Sequence, residues 1–229
     1  MTVHRFFVTP VEAVGDRFPL PASIEHRVRR VLRLRDGDAL VVLTGDGHEA
    51  LCHLEGPDCV VEARRPSEGE PLHRLTVVQA VLKGDGLETV VRQGTEIGVA
   101  AFRLVVTDRS VARDLSPRRL ERLRAIAREA AEQAERGRVP PVDGPEPLAS
   151  ELAAGAVLLA ERNGAARLAE LPAPASLVIG PEGGFTPDEL TMAAGAGVRL
   201  AGLGPRILRA ETVAAAAAAV VLSRTGDFA

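Results

Sequence analysis

Two glycine turns near the C-terminal end carry residue types that could bind a ligand and act on it. The first is Gly180-Pro181-Glu182-Gly183-Gly184, and the second spans residues 203–212 with the sequence Leu-Gly-Pro-Arg-Ile-Leu-Arg-Ala-Glu-Thr. Because glycine lets the backbone come close to a bound molecule, the two turns are predicted to line one pocket. An alternative interpretation of the first turn is a tight strand-to-helix connection without a ligand.

The elements around these turns would place both at one edge of a sheet. Residues 177–179 form a short apolar run, as expected for a buried parallel strand. Thr186, Pro187 and Glu189 have the spacing of a helix start with a capping box. An alanine-rich helix is predicted over residues 211–223. Open parallel sheets bind ligands beyond the carboxyl ends of their strands, which is where the turns are expected.

The residues of the turns favour S-adenosylmethionine over a nucleotide phosphate. The chain has no Gly-x-x-x-x-Gly-Lys-Ser/Thr sequence, the first turn does not match Gly-x-Gly-x-x-Gly, and Glu182 would repel a diphosphate. A carboxylate beside free backbone amides suits an uncharged adenine and a cationic sulfonium. The predicted cofactor-binding residues are Ile179, Gly180, Pro181, Glu182, Gly183, Gly184, Leu203, Gly204, Ile207, Leu208, Arg209 and Thr212.

The pattern of apolar residues divides the chain near residue 70. Residues 1–70 contain short strand candidates and a hairpin signal at Asp46-Gly47, which predict a small β-barrel. Residues 64–72 have the composition of a linker. From residue 71 to residue 229 strands alternate with helices, which predicts an α/β domain with a parallel sheet and helices on both faces.

Composition excludes several functional classes. The 229 residues have a net charge of −3 and no Trp or Tyr, which disfavours a stacking platform for single-stranded bases. The chain shows no signal peptide and no apolar run long enough to cross a bilayer, so a cytoplasmic protein without membrane contact is predicted. Cys52 and Cys59 fit no metal or disulfide pattern. They are expected to be buried thiols, and no metal site is predicted.

Basic residues cluster in two segments. Residues 26–35 contain six basic residues and no acid, which favours binding of RNA phosphates at Arg29, Arg30 and Arg33 over a merely solvated helix face. In residues 118–138 arginine and glutamate alternate at helical spacing. That spacing favours a solvated helix face for the second segment.

The run Leu-Val-Ile-Gly-Pro-Glu-Gly-Gly-Phe at 177–185 and the second turn closely resemble the RsmE family of ribosomal RNA uridine-N3 methyltransferases, which belong to the knotted SPOUT class. Weaker motifs of the same family are matched by Lys83-Gly84-Asp85, Thr95-Glu96-Ile97-Gly98-Val99, Glu132-Gln133 with Arg136, and His26 with Val31-Leu32-Arg33. The resemblance covers essentially the whole chain. Gln93 departs from it, because the family often has lysine two positions before the threonine of the second motif.

The resemblance implies a PUA-like RNA-binding β-barrel at 1–70 and a SPOUT-type, S-adenosylmethionine-dependent methyltransferase domain with a trefoil knot at 71–229. It implies a homodimer that methylates one uridine at N3 in 16S ribosomal RNA of the small ribosomal subunit. RNA contacts are then expected at His26, Arg29, Arg30, Arg33, Lys83, Arg92 and Arg136. Two other interpretations stay open, namely a SPOUT methyltransferase with another RNA target and a non-catalytic RNA-binding or ribosome-assembly module.

Arg209 and Glu211 are the predicted catalytic residues. Methylation of uracil N3 requires loss of the N3 proton, and negative charge develops on O2 and O4, where the fixed guanidinium of Arg209 could stabilise it. Glu211 is the candidate for the base or for orienting Arg209. An alternative interpretation is that Glu211 is a favourable acid in the first turn of a helix, and that Glu182 only holds the shape of its loop.

Overall fold

The computed structural model describes residues 3–160 and 166–228 and divides the chain into two compact units. The first unit is the chain up to Glu70 together with Ala131–Val139. The second is Pro71–Ala130 together with the chain from Pro140 onward. The sequence predicts a domain boundary near residue 70, which would place Ala131–Val139 in the second domain. In the structure this segment belongs to the first unit.

The first unit is built on one five-stranded sheet. Its strands are β1 (His4–Phe7), β2 (Arg17–Pro19), β3 (Ala39–Leu43), β4 (His48–Glu55) and β5 (Asp58–Pro66). They are ordered β1-β3-β4-β5-β2, with β1 parallel to β3 and the other pairs antiparallel. Phe6 and Phe18 of the two end strands lie in one core cluster, so the sheet curves around that core. Strand β5 takes in residues 64–66, which the sequence assigned to a linker.

A helical segment and the returning segment, Ala131–Val139, complete this unit. Helix α1 (Ala22–His26) continues into a π-helical turn, Arg27–Val31. In the returning segment, Glu132 accepts a hydrogen bond from the Phe7 backbone N–H at 3.1 Å and pairs with Arg27 at 2.7 Å. A side chain that bonds both to a strand and to the helical turn fixes the returning segment to the first unit.

Cys52 on β4 and Cys59 on β5 are buried free thiols, as predicted. Burial raises the pKa of Cys52 to about 12 and that of Cys59 to about 11. Because alkylation requires the thiolate, we expect neither cysteine of the folded protein to react with iodoacetamide at about pH 8. Both should react after unfolding in urea, and mass spectrometry locates the labels. Alkylation of either cysteine in the folded protein would contradict this description of the core.

The second unit contains a six-stranded, fully parallel sheet. Its strands are β6 (Thr76–Ala80), β7 (Ala101–Val106), β8 (Val142–Pro147), β9 (Val157–Leu159), β10 (Ser176–Ile179) and β11 (Arg199–Ala201), ordered β11-β9-β10-β6-β7-β8. Strands β6, β9 and β10 are almost wholly buried, in agreement with their short apolar runs. Their carboxyl ends therefore lie side by side near the middle of the sheet.

The described residues of this part of the chain also form four α-helices. They are α2 (Gly86–Ile97), α3 (Pro117–Gln133), α4 (Pro187–Gly195) and α5 (Ala210–Arg224). Helix α5 contacts α2 and strands β6 and β10, while Ala193 of α4 shares a core cluster with Val78 and Val178. The alternation of strands and helices predicted for this part of the chain is thus present.

Across residues 3–160 and 166–228, no helix combines the length and the apolar character that crossing a membrane requires. The same residues include no group of three or more His, Cys, Asp or Glu side chains that could hold a metal ion.

Candidate functional site

Both glycine turns line one open cleft of about 1070 Å³ at the carboxyl edge of the parallel sheet. Strands β6, β9 and β10 lead into its wall, and the second turn follows β11. The predicted cofactor-binding residues found in the lining are Ile179, Gly180, Pro181, Glu182, Gly184, Leu203, Gly204, Ile207, Leu208 and Arg209. Gly183 and Thr212 are not among the lining residues.

The first turn is shaped by a close contact with Phe185. A Cβ atom at Gly180 would lie 2.9 Å from ring carbon Cε2 of Phe185, which is closer than side chains approach each other. Gly184 has a positive φ of 69°, and its N–H donates to the carbonyl of Pro181 at 2.9 Å. Glycine is therefore needed at one position for space and at the other for backbone conformation.

The buried carboxylate of Glu189 stabilises this turn through hydrogen bonds to backbone N–H groups. The capping box predicted for α4 is present, and the Glu189 side chain is buried. Its carboxylate accepts the backbone N–H groups of Thr186 and Asp108, both at 2.8 Å. Next to Asp108, the Arg109 guanidinium donates to the Gly183 carbonyl at 3.0 Å. The loop after β7 is thereby bonded to the turn at several points.

Replacing Glu189 by Gln is expected to lower the free energy of unfolding by about 2 kcal/mol. One carboxylate oxygen, which accepts a backbone N–H, would become an amide N–H₂ group, so two donors would face each other. Urea unfolding followed by circular dichroism measures the change. Asp188→Asn is the matched control, since Asp188 is an exposed acid in the same helical turn. Equal stability of the Glu189→Gln variant and the wild type would contradict this role of the carboxylate.

Glu182 contacts the backbone of the β6–α2 loop. Its Oε1 accepts the N–H of Lys83 at 3.3 Å, and Arg119 donates to the carbonyls of Leu82, at 3.4 Å, and Gly84. This arrangement supports the interpretation that Glu182 holds the shape of its loop. It also places Lys83, the only lysine of the chain, in the cleft lining.

The two predicted catalytic residues lie in the cleft lining. Arg209 is the N-cap residue of α5, and Glu211 lies in the first turn of that helix. Within the described part of the chain, neither side chain forms a hydrogen bond or an ion pair, and none joins one to the other. Both are open to a ligand, and the suggested orientation of Arg209 by Glu211 is not made in this structure.

Sequence reasoning missed several residues of the cleft. Arg206 brings a second guanidinium from the same glycine turn. Leu159, Phe185 and Val213 add apolar surface from β9, the first turn and α5. Arg206 could have been noted beside Arg209, whereas Leu159 lies more than forty positions from either arginine and shows no local signal.

The predicted RNA-binding residues fall into two groups. The first group is exposed and consists of His26, Arg30, Arg33, Lys83 and Arg92. Arg29 instead donates to the carbonyl of Leu34 at 3.1 Å and pairs with Asp36 at 3.3 Å, which occupies its guanidinium within the fold.

Arg136 requires a correction. Its side chain is 3% exposed and pairs with Glu70 at 3.1 Å. The predicted RNA contact at this position is therefore wrong, because a buried guanidinium that is already paired does not reach a phosphate. Arg136 is a structural residue of the first unit.

Comparison with known proteins decides the family. The model of an RNA methyltransferase domain matches residues 68–222, and that of an RNA methyltransferase PUA domain matches residues 28–61. Two relatives named ribosomal RNA small subunit methyltransferase E are similar over nearly the whole chain. The Mycobacterium tuberculosis protein is 37% identical over 96% of this chain and 92% of its own length. The Synechocystis protein is 35% identical over 95% and 77%. The chain belongs to the ribosomal RNA small subunit methyltransferase E family.

A solved structure from this family agrees with the present one over its whole length. It is the methyltransferase E of Neisseria gonorrhoeae bound to S-adenosyl methionine, with a TM-score of 0.88 and 28% identity, covering 100% of both chains. Together with the two family models, this confirms the predicted fold class, a SPOUT-type parallel-sheet domain with a smaller PUA-like β domain. The RNA methyltransferase domain model, which matches residues 68–222, includes both turns that line the cleft.

Proposed function

We propose that this protein transfers a methyl group from S-adenosylmethionine to N3 of one uridine in 16S ribosomal RNA of the small ribosomal subunit. The observation that carries the proposal is the cleft lined by two glycine turns and by Arg209, whose guanidinium has no partner among the described residues. The names of the relatives support a small-subunit ribosomal RNA substrate, and the Neisseria gonorrhoeae structure supports the cofactor.

The residues of the cleft fit S-adenosylmethionine. Ligand sites commonly have volumes of roughly 300 to 1000 Å³, and the open cleft of about 1070 Å³ reaches that size. Leu159, Ile179 and Leu203 offer apolar surface for an adenine, while Glu182 and Glu211 are carboxylates that could lie near a sulfonium. When bound, the cofactor supplies a methyl group that is already strongly electrophilic.

The contribution of the protein is then alignment and charge stabilisation. The glycine turns are assigned to hold S-adenosylmethionine. The cleft must then orient the uracil ring so that N3 approaches the methyl group in line with its bond to sulfur. As the N3 proton leaves, negative charge develops on O2 and O4 of the uracil and persists until N3 has accepted the methyl group, while the sulfur keeps the electron pair of the broken S–CH3 bond. Arg209 is assigned to stabilise this charge. Glu211, which has no protein partner among the described residues, is assigned as the group that accepts the proton.

The exposed basic residues would bring the RNA to this cleft. His26, Arg30 and Arg33 supply them in the first unit, and Lys83 and Arg92 in the second. A homodimer in the cytoplasm remains part of the proposal, since the resemblance to the family implies the dimer.

Methyl transfer to small subunits from cells that lack this protein tests the proposal. Labelled S-adenosylmethionine, the purified protein and the subunits are incubated, and the modified nucleoside is identified by mass spectrometry and mapped. We expect 3-methyluridine at a single position. A methylated guanosine or a ribose-methylated nucleoside would show another target for the same fold. Absence of transfer together with absence of S-adenosylmethionine binding in calorimetry would support the non-catalytic RNA-binding interpretation.

A further inference from the structure

One buried polar side chain of strand β6 is not explained by the packing of the sheet. Residues 77–82 are all buried, and Gln79 is the polar residue among their apolar side chains, with 0% of its surface exposed. Its Oε1 is one of two buried side-chain polar atoms without a hydrogen-bond partner in the described part of the chain. The other is Nε of Arg5, which lies 3.7 Å from the Glu49 carboxylate. Because an unpaired buried oxygen is destabilising, an apolar residue would suit this strand position better.

The strand register places Gln79 in the row of side chains that leads into the cleft. Gln79 is paired with Ile179 of β10, and Ile179 is paired with Leu159 of β9. Directly paired residues of neighbouring strands project to the same face of a sheet, and both partners in this row line the cleft. Val78 and Val178, one position earlier, belong to the core cluster with α4 on the other face. Gln79 therefore lies behind the wall of the cleft.

The carboxamide of Gln79 directs its N–H₂ group at the start of the first glycine turn. Nε2 lies 3.1 Å from the carbonyl oxygen of Ala80 and 3.4 Å from those of Ile179 and Gly180. The reverse orientation of the amide would set Oε1 against three acceptors, so the surroundings fix which atom is the nitrogen. On its other side, Gly180 approaches the ring of Phe185, which would lie 2.9 Å from a Cβ atom there. The turn thus begins between this ring and the amide.

These contacts also fix a backbone donor of the turn. In a trans peptide the N–H points opposite to the C=O. A carbonyl of Ile179 that is held against Nε2 of Gln79 therefore directs the N–H of Gly180 away from Gln79. Loss of the amide N–H₂ would free this peptide to rotate, without removing any atom that lines the cleft.

We propose that Gln79 is a positioning residue for the cofactor, because its N–H₂ group fixes the Ile179 and Gly180 carbonyls and so presets the first glycine turn for S-adenosylmethionine. The strand keeps a glutamine at this position, although Oε1 stays unpaired, because the turn needs the donor. Gln79 acts through the backbone and touches neither reactant. The inference rests on S-adenosylmethionine as the cofactor and does not depend on which nucleotide is methylated.

The substitution Gln79→Met tests the assignment, since methionine has nearly the shape of glutamine but no donor. We expect S-adenosylmethionine to bind about tenfold more weakly in calorimetry, the effect of one lost hydrogen bond. In methylation of small subunits, the KM for S-adenosylmethionine should rise by about the same factor, whereas kcat at saturating cofactor should stay within about twofold. The Tm should stay within roughly 3 °C, because removal of the unpaired oxygen offsets the lost bonds.

Two further variants make the test specific. Gln93→Met is the matched control, since Gln93 is an exposed glutamine of α2, and its cofactor affinity should equal that of the wild type. Gln79→Glu adds a dependence on pH, because an ionised carboxylate cannot donate to the carbonyls, whereas a protonated carboxyl can donate one O–H. Burial raises the pKa of such a carboxyl. The affinity of Gln79→Glu relative to the wild type should therefore rise as the pH falls from about 8 to about 6.

Wild-type affinity for S-adenosylmethionine in Gln79→Met would overturn the inference, and a lowered Tm beside that affinity would assign Gln79 to the fold alone. A relative affinity of Gln79→Glu that stays constant with pH would also overturn it, even if the methionine variant did not fold. The proposed function fails in a different way, since the wild-type protein would then bind no S-adenosylmethionine or methylate another nucleotide.

Discussion

Alanine in place of Arg209 is expected to slow methyl transfer roughly 100- to 1000-fold, the loss typical when a preorganised donor to a developing negative charge is removed. Arg209 lies in the cleft lining at the start of α5 and is not engaged by any described residue. The expected loss is in kcat, with S-adenosylmethionine affinity within a few-fold of the wild type. Single-turnover methylation and calorimetry measure the two quantities separately.

Three companion variants make this test specific. Arg209→Lys should recover part of the rate, because an ammonium keeps the charge but not the planar donor geometry. Arg199→Ala is the control, since Arg199 is an exposed arginine of β11 outside the cleft lining. Arg206→Ala tests the competing guanidinium of the same turn. A near wild-type rate in Arg209→Ala together with a large loss in Arg206→Ala would transfer the proposed role to Arg206.

Alanine in place of Arg136 is expected to lower the free energy of unfolding by about 3 kcal/mol, because the buried guanidinium is lost and the partly buried Glu70 carboxylate loses its charge partner. Glu70 would lose its bonds to the guanidinium, at 3.1 Å and 3.3 Å, and keep only the Arg138 backbone N–H at 2.9 Å. Urea unfolding by circular dichroism is the suitable measurement, since the chain has no Trp or Tyr for fluorescence.

A double-mutant cycle shows whether the ion pair is the cause. Arg136→Ala combined with Glu70→Ala should be less destabilising than the sum of the two single changes. Arg92→Ala is the matched comparison, because Arg92 is exposed and has no partner among the described residues. Its stability should stay within about 0.5 kcal/mol of the wild type, while RNA binding weakens. Unchanged stability in Arg136→Ala would restore Arg136 to the RNA-binding set.

Local patterns in the sequence were sufficient to predict the first glycine turn and the start of the helix that follows it. The capping box of Thr186 and Glu189 lies within four residues, and the glycines stand between a short apolar run and that helix start. Strand β8 was missed, because Pro145 and Pro147 normally argue against a strand. The structure places β8 at the end of the sheet order, where a missing N–H donor is tolerated.

Long-range contacts could not be predicted from the sequence. Arg136 was grouped with the RNA-binding arginines, whereas its partner Glu70 lies 66 positions earlier in the chain. The same limit applies to the cleft, in which Lys83 and Glu182 meet across 99 positions. Only the resemblance to a family could supply such pairings in advance, and for Arg136 it suggested the wrong role.

The first unit is assembled from two separate stretches of chain. This limits which segments can be exchanged between related proteins without breaking the unit. A gene fragment ending at Glu70 would omit Ala131, which lies in a core cluster with Phe7, Val41 and Leu43. It would also omit the carboxylate that accepts the Phe7 N–H. The first unit therefore cannot be transferred as one continuous segment, and an exchange between relatives must carry Ala131–Val139 together with the chain up to Glu70.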